Sequence, residues 1–214
     1  MTLHLETVTS QMLAIAKTVF VSFDDKYYLA GGTALALTMG HRKSVDLDYF
    51  FPGDIDTAKL RQRLSELFGE EHTEIIFEEK NTLWCRIDGV KVSFISRFDP
   101  LLKPVIITDP FRLVSEEDIT LMKLSAICGR EEYKDYFDLA CIARDSDVRI
   151  WITNWQNIYP NVDPTSWIVA LAAVDDITRI PLEVMPLYEH IDIAKGIHST
   201  LVEITKYTST LRPT

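Results

Sequence analysis

The first spacing of apolar residues along the chain is helical. In residues 7–22, Met12, Ile15, Ala16, Val19 and Phe20 recur three or four apart, which predicts an amphipathic helix. Tyr27-Tyr28-Leu29-Ala30 then predicts a short strand running into a Gly31-Gly32 turn, with a short helix from Thr33 to about Gly40. The polar run His41-Arg42-Lys43-Ser44 closes that helix. Val45 to Phe51 reads as the next strand. Asp54 to Phe68 reads as a helix with Leu60, Leu64 and Leu67 on one face and Asp54 or Asp56 as its cap. From residue 73 to 96 the period shortens to that of strands. TEIIFEE, TLWCRID and VKVSFIS are separated by Lys80-Asn81 and Asp88-Gly89, and Asp-Gly between apolar runs is a strong hairpin signal, so three antiparallel strands are expected.

After a proline-containing loop, Phe98 to Pro110, the pattern is helical. Ser115-Glu116-Glu117-Asp118 has the form of a capping box, with Asp in place of the usual Glu or Gln, ahead of a helix through Leu121, Leu124 and Ile127. Further helices fit residues 131–144, 147–158, 164–175 and 183–208. The chain is therefore expected to split near residue 110 into an α/β domain over residues 1–110 and a helical domain over 111–214, an α+β fold. There is no internal repeat and no low-complexity tract.

Composition narrows the function classes. With 47% hydrophobic and 25% charged residues in 214, the chain can bury a substantial core. The net charge of −10 argues against a broad basic surface for nucleic acid, so any such contact must be local or metal-assisted. Cys85, Cys128 and Cys141 are odd in number and lack metal-ligand spacing, which fits a reduced, cytoplasmic compartment. His4, His41, His72, His190 and His198 show no ligand spacing either, and His41 reads as a surface-loop histidine. The longest apolar run, Trp167 to Val174, is too short to cross a bilayer. Trp151, Trp155 and Trp167 lie in apolar helical contexts and read as core or interface anchors; base stacking is the other reading, without a basic patch to support it.

The chemistry concentrates in GGTALALTMGHRKSVDLDYF, residues 31–50. In a strand, residues i and i+2 share a face, so Asp46 and Asp48 project one way while Val45, Leu47 and Tyr49 pack the other. Two carboxylates so close repel, and something cationic must compensate them. Salt bridges to Arg42 or Lys43 would do so. So would a hard divalent cation, Mg²⁺ or Mn²⁺, which takes carboxylate oxygens together with substrate phosphates. The glycines favour the second reading, because Gly31 and Gly32 at a strand-to-helix turn let backbone N–H groups approach a phosphate, and Thr33 adds a hydroxyl donor. The order of strand, Gly-Gly-Thr turn, short helix and apolar strand bearing Asp-x-Asp describes a phosphoryl or nucleotidyl transfer site.

With these residues in view, GGTALAL followed by HRKSVDLDYF resembles the polymerase β-like nucleotidyltransferase superfamily, and within it the AbiEii/AbiGii toxin family. The segment from Glu117 to Leu139 is similar to that family's later motif: Lys123 and Ala126 match K-x-x-A, Arg130 the basic residue, and Asp135 and Asp138 the D-x-x-D-L run. The resemblance covers roughly residues 25 to 143. It implies a mixed sheet flanked by helices with the helical domain packing on its cleft, and a toxin-like enzyme that moves a nucleotide from an NTP to an acceptor, tRNA in some relatives, and that is often encoded beside a protein antitoxin. On that resemblance Asp46 and Asp48 bind the metal, and Gly31, Gly32 and Thr33 cradle the phosphates. Lys123 contacts the triphosphate, and Asp135 or Asp138 supplies later carboxylates at or beside the site; helical spacing, rather than the resemblance, would let Arg130 face the same anionic ligand.

The residues add a structural alternative for the second motif, since Lys134 and Asp138 at i and i+4 can form an exposed helix ion pair. Lys123 and Arg130 lie two helical turns apart if their helix persists, with Gly129 as a point of interruption. One departure from the superfamily pattern stands out. Where a third carboxylate is expected on a strand after Asp-x-Asp, the run Val90 to Ile95 carries Ser93, which cannot act as a charged ligand or general base. The enzyme then uses Asp135 or Asp138 instead, or works with two carboxylates. The alternative is a catalytically degenerate binding or interaction protein that keeps the fold. Ser93 or Ser44 as an acceptor hydroxyl is a further reading.

Overall fold

In a computed structural model, described here over residues 2–211, the chain divides into two compact units, Met1–Ser115 and Glu116–Thr214. The first holds a seven-stranded mixed sheet in the order β3-β4-β5-β2-β1-β7-β6. Its strands are β1 (Tyr28–Ala30), β2 (Asp46–Phe51), β3 (Thr73–Glu79), β4 (Thr82–Ile87), β5 (Val90–Ser96), β6 (Ile106–Thr108) and β7 (Phe111–Leu113). Its helices are α1 (Ser10–Ser22), α2 (Gly31–Met39) and α3 (Thr57–Phe68).

β3, β4 and β5 form the antiparallel meander that the period-two runs predict, and β5 then pairs parallel to β2. Both hairpin turns use left-handed residues. Asn81 (φ 66°) closes β3–β4, and Asp88 (φ 47°) with Gly89 (φ 86°) closes β4–β5, as a two-residue Asp-Gly turn requires. The two faces of the sheet differ sharply. Leu47, Tyr49, Cys85, Val92 and Phe94 are buried on one face, where Phe94 stacks on Tyr49 and on Phe23 at centroid distances of 5.5 and 5.7 Å. The odd-even alternation then places Asp46, Asp48, Lys91 and Ser93 together on the other.

Several boundaries differ from the sequence reading. α1 starts at Ser10 because Thr9 caps it, accepting a hydrogen bond from the Met12 N–H at 3.1 Å. α3 starts at Thr57, capped by Asp56, while Asp54 instead accepts a hydrogen bond from Asn81 Nδ2 at 2.9 Å and so ties the β3–β4 turn to the helix entry. Val45 lies outside β2 and is 76% exposed, so it does not pack with Leu47 and Tyr49. The expected loop before residue 110 contains β6, and β7 follows it. β7 pairs parallel to β1 and extends the first unit to Ser115.

The second unit is helical, with α4 (Glu116–Ile127), α5 (Tyr133–Asp145), α6 (Arg149–Ile158), α7 (Thr165–Ala172) and α8 (Ile193–Leu211). Trp151, Trp155 and Trp167 are buried in its core, so none of them offers a stacking surface for a base. Trp155 donates its indole N–H to the Val162 carbonyl at 3.0 Å. The helix expected over 183–208 is corrected to α8, preceded by a single 3-10 turn at Pro186–Tyr188. Pro186 lacks the N–H and clashes with the preceding turn, so no α-helix runs through it. The helix begins after Asp192, whose carboxylate accepts from the Lys195 N–H at 3.0 Å.

Candidate active site

β1 and β2 run antiparallel with Ala30 opposite Asp48, so the chain leaves β1 beside that carboxylate and turns at once into α2. Gly31 makes the turn at φ +66°, and a Cβ built on it would stand 3.0 Å from Asp48 Oδ2. Both facts demand glycine: the left-handed backbone and the close approach of an acidic oxygen. Gly32 and Thr33 follow within the first turn of α2, where backbone N–H groups have no partner inside the helix and the dipole favours negative charge. An anionic group and a carboxylate pair can therefore be served at one place.

Asp46 and Asp48 are half-buried on the polar face of β2. Asp48 Oδ1 accepts a hydrogen bond from Ser93 Oγ at 2.5 Å, across the parallel β2–β5 register that sets the two residues side by side. Lys91 is the register partner of Asp46, and its ammonium lies 5.0 Å from the centroid of the Trp84 ring. Asp46 is braced by hydroxyls. Thr33 Oγ1 and Ser44 Oγ each stand 3.4 Å from Asp46 Oδ1, Thr33 and Ser44 are 2.7 Å apart, and Thr33 also donates to the Asp46 carbonyl. The Thr33 side chain is fully buried and serves the β2 entry, which leaves its backbone N–H as the group that can meet an anion.

The segment between α2 and β2 is drawn inward. Gly40 ends α2 in a left-handed conformation, and the Ser44 N–H donates to the Thr7 carbonyl at 2.9 Å, while the His4 N–H donates to Leu37 O at 2.8 Å. Residues 4 to 7 thus fasten both ends of the loop. His41, Arg42 and Ser44 are buried, which corrects the expectation of a surface histidine at position 41.

The second motif forms a cluster within the helical unit. Lys123 Nζ of α4 lies 2.6 Å from both Asp135 Oδ1 and Asp138 Oδ2 of α5, and all three side chains are almost fully enclosed. Arg130 Nε donates to Asp135 Oδ2 at 2.9 Å. α4 ends at Ile127, so Lys123 and Arg130 do not share a helix; they reach the same carboxylate from different backbone segments. Asp138 is fully buried and does not sit in an exposed pair with Lys134. Two acidic and two basic side chains so placed compensate one another, and removal of one leaves a buried charge uncovered.

Among the described residues, Asp46 and Asp48 are not joined by a further His, Cys, Asp or Glu into a group of three or more that could hold a metal ion. The pair still offers hard oxygen donors next to a glycine that a Cβ would crowd, and this suits Mg²⁺ or Mn²⁺ completed by phosphate and water. The sequence signals located these carboxylates and the serine. They gave no hint of the anchoring by Thr7, because it depends on a backbone hydrogen bond between residues far apart in sequence.

A family model described as nucleotidyl transferase AbiEii toxin, type IV toxin–antitoxin system, matches residues 14–152. An uncharacterised protein of Aquifex aeolicus strain VF5 is 30% identical over 189 residues, covering 85% of this chain and 90% of its own length. Among solved structures, the nucleotidyltransferase toxin MenT4 of Mycobacterium tuberculosis H37Rv is similar with a TM-score of 0.60 and 16% identity, over 93% of this chain and 82% of its own. JHP933 of Helicobacter pylori is similar with a TM-score of 0.55 and 18% identity, over 95% and 94%. At such identities these two structures speak for the fold.

Proposed function

The chain belongs to the nucleotidyl transferase AbiEii toxin family, and on that premise we infer that Asp46 and Asp48 are the carboxylates at which an NMP is moved from an NTP to an acceptor hydroxyl. The observation that carries this is the seating of both carboxylates on one face of β2, with Gly31 against Asp48 Oδ2 at the start of α2. Asp46 and Asp48 would hold Mg²⁺ or Mn²⁺, which when bound supplies charge neutralisation and Lewis acidity toward the triphosphate.

The chain's own groups do the rest of the positioning. The first-turn N–H groups of Gly31, Gly32 and Thr33 receive phosphate oxygens, and the hydroxyls of Ser93, Thr33 and Ser44 keep the carboxylates in place. The acceptor hydroxyl oxygen bonds to the α-phosphorus and its proton passes to solvent water, the bond from that phosphorus to the oxygen it shares with the β-phosphate breaks, and pyrophosphate leaves in line. Lys123, Arg130, Asp135 and Asp138 act as one interdependent charge network in the helical unit.

The acceptor is an RNA hydroxyl, of tRNA type, or a protein hydroxyl. A net charge of −10 favours local contacts over a broad basic surface. The family description also supports a cognate protein antitoxin as partner. Incubation with Mg²⁺ and each α-labelled NTP in turn, with total RNA and with protein alone, identifies donor and acceptor together. Label is expected on RNA or on protein from one preferred NTP, and chelation of the metal is expected to stop it. Transfer that survives EDTA would contradict the metal assignment.

A further inference from the structure

We propose that Ser93 is a positioning residue for Asp48: a serine standing where a third carboxylate is expected fixes one oxygen of Asp48 and turns the other toward the start of α2. The inference rests on the reading of Asp46 and Asp48 as the metal-binding pair.

The geometry is specific. β2 and β5 are parallel, with Asp48 and Ser93 in register, and Ser93 is buried at 3% exposure with its hydroxyl 2.5 Å from Asp48 Oδ1. On its other side Ser93 is in register with Trp84 of β4, so its Cα is held by neighbours on both flanks. The second oxygen, Oδ2, is the one that a Cβ at Gly31 would approach to 3.0 Å. Asp48 is thus gripped by a hydroxyl on one oxygen and faces the glycine turn with the other.

Chemistry explains the choice of residue. A serine hydroxyl carries a proton to give, whereas an ionised carboxylate can only accept. A carboxylate at position 93 would place a like charge beside Asp48, whereas the hydroxyl gives it a hydrogen bond. Short O–H···O⁻ bonds are also the stronger kind. Asp46 has the Thr33 and Ser44 hydroxyls both at 3.4 Å from its Oδ1. Partners that orient a metal ligand in this way commonly govern affinity.

The test measures metal binding without turnover. Water proton relaxation enhancement by Mn²⁺, alone and with each α,β-methylene NTP analogue, is compared for the unsubstituted protein, Ser93→Ala, Ser93→Thr and Asp48→Asn, with folding checked by circular dichroism. Ser93→Ala is expected to weaken Mn²⁺ binding about 10-fold, and Ser93→Thr, which keeps the hydroxyl on a strand-compatible residue, to bring it back to within about threefold. Unchanged affinity in Ser93→Ala alongside loss in Asp48→Asn would overturn this inference alone. A loss in Ser93→Ala that Ser93→Thr does not restore would also count against it, since shape rather than the hydroxyl would then be at work. Unchanged affinity in Asp48→Asn, or no enhancement by the unsubstituted protein, would remove the metal-binding reading and this inference with it.

Discussion

Gly31 and Lys123 show two ways in which a single residue can be irreplaceable. Gly31 stands at φ +66°, and a Cβ on it would meet Asp48 Oδ2 at 3.0 Å. Gly31→Ala is expected to cost about 1–2 kcal/mol from the left-handed backbone alone, and to displace the Asp48 carboxylate as well. Activity should fall further than stability. Urea denaturation beside a transfer assay separates the two, and parent-like transfer would show that the close approach has no role. Lys123 is irreplaceable for a different reason, because its ammonium lies 2.6 Å from each of two buried carboxylates. Lys123→Met should lower unfolding free energy by about 3–5 kcal/mol, the usual result of stripping a buried charge of its partner. A loss below about 1 kcal/mol in urea titration would mean that the cluster is solvated, as a surface pair is.

Among the elements, legibility in the sequence followed locality. The β3–β4–β5 meander was readable because two-residue turns join its strands and Asp88-Gly89 has one dominant geometry. The Asp46/Asp48 face was readable because strand alternation is local. The β6–β7 pair was not, since each strand has three residues and prolines at 104 and 110 mark the stretch as loop. The parallel partnership of β2 and β5 has a similar character: no local signal sets it, and the sequence reading did not include it. Pro186 did carry a local signal, against a helix, which the helical spacing of its neighbours had outweighed. At the aromatic face of the sheet, burial holds the Tyr27 hydroxyl well above its ordinary value of 10.0, at about 12, with the charge of Asp24 adding to it. Burial raises Tyr49 as well. Both phenols are kept protonated more strongly folded than unfolded. The stability they contribute is complete below pH 10 and is lost as pH rises from there through the folded values. Melting temperature should therefore decline steeply above about pH 10, with tyrosinate absorbance at 295 nm appearing only with unfolding for these two. Early tyrosinate absorbance without unfolding, beyond that of the exposed tyrosines, would contradict their burial.

For the molecule as a whole, the family assignment and the α+β architecture state what class of enzyme this is, and the polar face of β2 states where its chemistry is proposed to lie. No described helix is long and apolar enough to cross a membrane. The net charge of −10 sets a condition on any RNA acceptor: binding by few phosphate contacts should show a shallow dependence on salt, unlike that of a protein coated in lysine and arginine. The central claim is that nucleotidyl transfer depends on the two aspartates of β2. The most direct measurement is the rate of pyrophosphate release coupled to acceptor labelling, with the preferred NTP and Mg²⁺, for the unsubstituted protein and for Asp46→Asn and Asp48→Asn. Loss of transfer by about 100-fold or more in each variant, with melting temperature maintained, is the predicted result; transfer at the parent rate in either folded variant would contradict it.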